Sequence, residues 1–238
     1  MRRPSPRARV RLGLVAIAIL SAACQPSLAT PALPGGGSAP TTGRYQIART
    51  NADGSPVRWN PCAPIRYVVS LTHAPSFALT EIAKAVHAVE TTSGLDFVYV
   101  GTTAERPPRD QSSTRYGPGP LPVLISFATA AEVPFGSPTA SGWGQAVLAT
   151  DPSTGHQRYV SGQVVLRPGG WTAGTTSANP LELMLRHELG HVVGLAHVDL
   201  ATEIMGTAGN GSARRWGPGD LAGLDRIGRA GGCLPPLS

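Results

Sequence analysis

The stretch His187-Glu-Leu-Gly-His191-Val-Val-Gly194-Leu-Ala-His197 decides how the chain is interpreted. His187 and His191 are four residues apart, so on a helix their imidazoles project from one face and can bind one metal ion together. Glu188 points about 100° around the helix, beside the metal, where a general base would lie. Gly194 can adopt a positive φ and end the helix, which lets the chain double back so that His197 supplies a third nitrogen ligand.

The residues before this stretch predict where its helix begins. Asn179 is a capping residue directly before Pro180, and Glu182 follows three residues after Asn179, as in a capping box. From the chain's own residue frequencies, the five fixed positions of the histidine pattern arise by chance in roughly one of 10⁵ such sequences, so the pattern is a specific signal. The remaining histidines are isolated, and we expect ordinary loop or surface residues at His73, His87 and His156.

Hydrophobic periodicity predicts the elements around this helix. Apolar residues between Phe77 and Val89 recur at helical spacing, and Gly94 is a natural stop for that helix. β-Branched and alternating segments predict five strands, at residues 65–71, 95–100, 122–127, 143–150 and 158–167. A strand, a helix, four strands and a second helix indicate an α+β fold in which helices back a mixed sheet.

The histidine stretch matches the pattern of metzincin zinc metalloproteases, and the chain most resembles the matrixin branch of that family. Matrixins follow the third histidine with a Met-turn, and Met205 lies eight residues after His197, within Ile-Met-Gly. They also end in a helix similar to residues 218–227. The similarity is spread thinly over residues 59–228, with strong motifs only from His187 onward.

The resemblance implies a zincin fold, with a twisted five-stranded mixed sheet and two helices above a cleft and a small C-terminal subdomain with one helix below it. It implies one catalytic Zn²⁺ on three histidines, with Met205 as an apolar floor that is not a ligand. In such a site a zinc-activated water attacks the scissile carbonyl. Glu188 takes the water's proton as general base and returns it to the leaving amine.

By analogy with matrixins, an extended polypeptide substrate would lie along a sheet edge at Gly144, Gln145, Ala146, Val147 and Leu148. Main-chain hydrogen bonds to such an edge favour unstructured peptide over folded protein. The sequence therefore predicts an exported zinc-dependent endopeptidase, which we expect to be a monomer.

The chain departs from the matrixin pattern in three places. Matrixins usually have Tyr-Pro after the Met-turn methionine, where they help to wall a specificity pocket, whereas Gly206 and Thr207 follow here. Residues 136–170, where matrixins have ligands for structural zinc and calcium, contain one acid, Asp151, and one histidine, His156. We therefore expect neither a second zinc nor structural calcium. No cysteine-switch segment is recognisable before Trp59, so we expect activity without propeptide cleavage.

Two functions from other classes remain as alternatives. A surface peptide-binding or adhesion protein on a zincin scaffold that has lost turnover would not require a base at Glu188. A zinc-scavenging lipoprotein would be expected to carry loops rich in His and Asp, and residues 24–43 contain neither.

The first 23 residues predict export. Five arginines precede an apolar stretch at residues 12–20 and three small residues, as in a signal peptide. The residues that end at Cys24 resemble a lipobox, which predicts a lipidated cell-surface protein. Cleavage after Ala23 or Ala29 would instead give a secreted one, and the Arg2-Arg3 pair allows a twin-arginine signal. Pro, Gly, Ser and Thr predict a flexible tether at 24–43, which leaves residues 44–238 as the catalytic domain.

Charge and length limit the partners. The net charge is +6, and removal of the five signal arginines leaves +6 − 5 = +1, so a basic nucleic-acid surface is not predicted. The uncharged run at residues 12–23 is too short to span a bilayer, so we expect membrane contact only through a lipid anchor on Cys24.

Apart from Cys24, the chain contains Cys62 and Cys233. In an exported protein this even pair predicts a disulfide between the beginning and the end of the domain. Two separate buried thiols are the alternative. A role of Cys62 as an inhibitory metal ligand is disfavoured because it directly precedes the first predicted strand.

Overall fold

A computed structural model describes residues 43–109, 115–117, 119–173, 179–207 and 213–237. All of these belong to one unit, Gly35–Ser238. The predicted signal segment, Cys24 and the predicted tether up to residue 42 lie outside the described residues. Within the described ranges, no helix has the length and apolar character needed to cross a membrane.

The chain is an α+β protein with a five-stranded mixed sheet and three α-helices, as the sequence predicted. The helices are α1 Ala78–Ser93, α2 Pro180–Val193 and α3 Pro218–Ile227, with a short 3-10 helix at Arg229–Gly231. The strands are β1 Gln46–Ile47, β2 Ile65–Ser70, β3 Phe97–Thr102, β4 Val123–Phe127, β5 Gly142–Thr150, β6 Gln157–Leu166 and β7 Leu195–Ala196. The sheet order is β3-β2-β4-β6-β5, and β5 is its one antiparallel member.

The ends of α2 follow from local side-chain and backbone chemistry. The Asn179 side chain accepts a hydrogen bond from the Leu181 amide at 2.9 Å, so it caps the first turn as predicted. Glu182 pairs with Arg186 along the helix, and no bond from it back to the Asn179 amide completes the expected capping box. Gly194 ends the helix with a φ of 119°, a conformation that favours glycine.

The two long helices cover one face of the sheet. Strand β6 shows the alternation, because Val164 and Leu166 point towards the helices while Val165 joins a smaller cluster on the opposite face. The larger cluster contains the buried apolar residues of α1 and α2, including Ile82, Val86, Val89, Leu185, Leu189 and Val192. Helix α2 is thereby fixed in the core along its apolar side, and its histidines lie on the other side.

Cys62 and Cys233 form the predicted disulfide across a sequence separation of 171 residues, with their Cα atoms 5.4 Å apart. Polar contacts hold the same two segments together. The Asn60 side chain accepts from the Leu234 amide at 3.0 Å and donates to the Leu234 carbonyl at 3.3 Å. The C-terminal segment is thus joined to the residues before β2, and Cys62 is not a metal ligand.

Candidate metal centre

Three imidazole rings converge at one point. The Nε2 atom of His197 lies 3.0 Å from that of His187 and 3.0 Å from that of His191, and the latter two atoms are 3.2 Å apart. His187 and His191 are on α2, and His197 reaches them because the turn at Gly194 sends the chain back through β7. Among the residues that the structure describes, this is the only group of three or more His, Cys, Asp or Glu side chains close enough to bind one metal ion.

Backbone carbonyls fix which nitrogens face the centre. The Nδ1 atom of His187 is 2.7 Å from the Ile204 carbonyl oxygen, and Nδ1 of His191 is 2.9 Å from that of Leu195. A carbonyl oxygen can only accept, so each Nδ1 carries the proton and donates it. Both rings therefore turn an unprotonated Nε2 towards the centre, which is the form that binds a metal.

The three rings are neutral at pH 7. Burial lowers the pKa of His187 to about 4 and that of His191 to about 3, and burial also lowers the pKa of His197. Neutral lone pairs this close together repel one another unless a cation lies between them. Nitrogens bound to tetrahedral zinc at about 2.0–2.1 Å would lie about 3.3 Å apart, so the donor set fits zinc closely.

Glu188 lies beside the rings and in contact with the sheet. Glu188 is 4% exposed, and a Cβ atom at Gly142 would lie 3.2 Å from its Oε1 atom, so the backbone of β5 passes close to its carboxylate. Burial raises the pKa of Glu188 to about 8, and the polar backbone of Gly144 opposes that rise. A Cβ atom at Gly144 would overlap the Glu188 carbonyl oxygen, so this close approach of β5 to α2 requires glycine.

The predicted substrate residues Gly144, Gln145, Ala146, Val147 and Leu148 all lie in β5. This strand is at the end of the sheet order and pairs with β6 alone. The Arg167 amide donates to the Ser141 carbonyl at 2.8 Å, and the antiparallel alternation from that pair turns the main-chain groups of residues 142, 144 and 146 away from β6. The edge next to Glu188 therefore exposes hydrogen-bonding groups, and substrate binding there stays a prediction.

Met205 packs beneath α2. It is almost fully buried, and a Cβ atom at Gly190, between the two helical histidines, would lie 3.3 Å from its Cε atom. The loop that carries Met205 is paired with the residue after His197, since the Val198 amide donates to the Met205 carbonyl at 2.9 Å. The structure thus places Met205 against α2 at Gly190, and its role as the floor of the metal site stays a prediction.

Sequence reasoning missed the polar groups that support the site. The carbonyls of Ile204 and Leu195 orient two rings, and no sequence pattern reveals a carbonyl acceptor. It also missed the buried acids Glu203 and Asp220, which lie behind the Met205 loop. Burial raises the pKa of Asp220 to about 6, and the neighbouring Glu203 adds to that rise. The sequence offered two signals that could have found them: an acid, Glu203, two residues before Met205, and another, Asp220, three residues after Gly217.

The chain was compared with families and with curated proteins. No protein-family model matches it, and no curated protein matches it.

Proposed function

We propose that the protein is an exported zinc-dependent endopeptidase of the metzincin type that cuts extended polypeptides. One observation carries this proposal: the backbone of the sheet edge at Gly144 packs directly against Glu188, which lies beside three converging neutral imidazoles. Three histidines that could hold a metal, a buried glutamate and a sheet edge therefore meet at one place, which supports the proposal.

The three histidines would hold the ion through their Nε2 atoms. Zinc bound there supplies Lewis acidity, which polarises a carbonyl and makes water a competent nucleophile at neutral pH. The Nδ1 bonds of His187 and His191 keep both rings in the orientation that binding needs. Structural calcium and a second zinc are not part of the proposal.

Glu188 would carry the proton. Its pKa would be lowered by a zinc ion bound beside it, so that its carboxylate would accept a proton from the attacking water and return it to the nitrogen of the leaving amine. The close packing of Gly144 against Glu188 would keep this residue beside the metal site during both transfers. No covalent bond between protein and substrate is required.

The edge of β5 would bind the substrate. The main-chain groups of Gly142 and Ala146 point away from β6 and are placed to pair with an extended chain. On the α2 side of this edge the first three residues are small, namely Gly142, Gly144 and Ala146, so their backbone is accessible, whereas Leu148 packs against the main core. Only unfolded or locally extended polypeptide can supply the matching main-chain groups.

The finer fold belongs to the same proposal. The sheet, α1 and α2 would form the upper part of a zincin fold, and the residues after His197 with α3 would form the small lower subdomain. The packing of Met205 against Gly190 supports this, because it brings the chain after the third histidine beneath α2. A peptide-binding or adhesion protein without turnover is the second candidate, and a buried base beside the rings favours the enzyme.

The cellular location of this activity rests on residues 1–42. We propose a lipid-anchored protein with Cys24 as its first mature residue, or a secreted one if the signal is cut after Ala23 or Ala29. Detergent-phase partitioning of wild type and Cys24→Ala distinguishes these outcomes. The anchored form enters the detergent phase only as wild type, and a secreted form stays in the aqueous phase in both cases.

The activity is tested with one polypeptide in two states. Zinc-loaded wild type is incubated with reduced, alkylated ribonuclease A and with the native disulfide-bonded form, and new N-termini are mapped. We expect cleavage of the unfolded form only, its loss after a chelator removes zinc, and its return with added zinc. A zinc-loaded protein that binds the unfolded chain and never cuts it would support the adhesion alternative.

A further inference from the structure

The N-cap residue of α3 has no side chain to accept from the amides of the first turn. This residue is Gly217, and Pro218 follows at the first helical position. The next two amides need acceptors from elsewhere. Glu203 supplies them, because its Oε1 atom accepts from Gly219 at 3.0 Å and its Oε2 atom from Asp220 at 2.8 Å. A side chain 14 residues before the N-cap thus caps this helix.

Asp220 in turn accepts hydrogen bonds from the segment that carries Glu203. Its Oδ2 atom accepts from the Ile204 amide at 2.6 Å and from the Gly217 amide at 3.0 Å. Its Oδ1 atom accepts from the Met205 amide at 3.2 Å. The two segments therefore hold each other: Glu203 fixes the start of α3, and Asp220 fixes the peptide groups directly after Glu203.

Both acids are deeply buried. Glu203 is 3% exposed and Asp220 is 1% exposed, and neither forms an ion pair with a described residue. A Cβ atom at Gly43 would lie 2.5 Å from Oε1 of Glu203. Buried carboxylates without a cation depend on their hydrogen bonds, so five backbone amide bonds determine where these two groups lie.

The segment that Asp220 holds also orients the metal site. The Ile204 amide donates to Asp220, and the Ile204 carbonyl accepts from Nδ1 of His187 at 2.7 Å. Movement of residue 204 would therefore turn the His187 ring. Groups that orient metal ligands through such bonds change metal affinity when they are altered.

We propose that Glu203 is a positioning residue for the metal centre: by fixing the first turn of α3 it keeps Asp220 on the Ile204–Met205 segment, whose carbonyl orients His187. This inference depends on the proposed function only for the identity of the metal, which is zinc in that proposal. The test measures zinc affinity. The inference can therefore fail even if the protein hydrolyses peptides, and it can hold even if the protein cuts nothing.

The test compares Glu203→Gln with Glu81→Gln. Both replace a buried glutamate, but Glu81 lies on α1 and pairs with Lys84. Zinc affinity is measured by competition with a chromophoric chelator, together with the unfolding temperature of the zinc-free protein. We expect zinc affinity to fall about tenfold in Glu203→Gln and to stay within about twofold of wild type in Glu81→Gln. Unchanged zinc affinity in a less stable Glu203→Gln would show a merely structural role and overturn the proposal.

A second measurement needs no variant. Coupling is reciprocal, so if Glu203 acts on the zinc site, zinc must act on the bonds of Glu203. Amide hydrogen exchange of wild type should slow on zinc addition at Gly219 and Asp220 as well as at Ile204. The Gly155 amide, bonded within the β5–β6 turn, should not change. Slowing at Ile204 alone, with Gly219 and Asp220 unchanged, would contradict the proposal.

Discussion

The backbone of Gly144 packs so closely against Glu188 that no Cβ atom fits at Gly144, because it would overlap the carbonyl oxygen of Glu188. The sheet edge and the metal-site helix therefore touch at a pair of residues that fixes the distance between them. The position of the base thus depends on its contact with the strand that we propose binds substrate.

We predict that Gly144→Ala lowers kcat at least tenfold while the protein still binds zinc. The added methyl group would overlap Glu188 and push β5 away from α2, so the base would be displaced relative to the bound substrate. Gly136→Ala is the matched control, since no atom lies within 4 Å of the position of its Cβ. Wild-type turnover in Gly144→Ala would show that this contact does not matter for the base.

The three-histidine site predicts one zinc per chain after dialysis. Removal of one ligand leaves two nitrogens and an open site, so His197→Ala should retain far less than one zinc. His156→Ala is the control, because that exposed ring lies beside Asp53 at 3.5 Å. Metal analysis of the three proteins checks this, and a wild type that stays metal-free in zinc-containing buffer would count against the site.

How far the sequence predicted this structure depends on the range of each interaction. The ends of α2 were predictable because Asn179 and Gly194 act within one helix. The strands of the sheet were predictable because their hydrophobic patterns are local. The two-residue strands β1 and β7 were not predicted, since so short a strand has no periodicity. Their pairing brings Gln46 opposite Ala196, next to the third ligand.

The groups that support the metal site could not be predicted from the sequence, for a different reason. Every residue has a carbonyl, so nothing in the sequence marks those of Ile204 and Leu195 as acceptors for histidine rings. Glu203 and Asp220 are 17 residues apart and meet only after the loop has folded. Direct ligands could therefore be predicted from spacing, whereas the groups that orient them required the tertiary structure.

The disulfide is predicted to stabilise the fold strongly. Its two cysteines are 171 residues apart, and on the chain-entropy model such a loop contributes up to about 5 kcal/mol to the free energy of unfolding. The double variant Cys62→Ser/Cys233→Ser should show this loss in urea unfolding, with zinc binding retained below the transition. Equal unfolding midpoints would mean that the bond adds nothing measurable.

Glu132 gives a pH dependence away from the metal site. Hydrogen bonds from the Thr129 amide, followed by those from Arg106, lower the pKa of Glu132 from 4.5 to about 2. The unfolded chain therefore takes up a proton at higher pH than the folded chain, so this stabilisation is present above pH 4.5 and is lost as the pH falls towards 2. Glu132→Gln should unfold at a lower temperature than wild type at pH 6, and the difference should shrink towards pH 2. An NMR titration that finds the Glu132 carboxyl near pH 4.5 would contradict the assignment.

The most direct test of the proposed chemistry is Glu188→Gln, measured for zinc content and for hydrolysis of an unfolded polypeptide. Glutamine keeps the size of the side chain but cannot accept the proton of the attacking water. With Glu182→Gln on the same helix as control, we predict one zinc per chain in both variants and a fall in kcat/KM of at least about 100-fold in Glu188→Gln alone. Equal hydrolysis by Glu188→Gln and wild type would remove Glu188 from the mechanism and contradict the account.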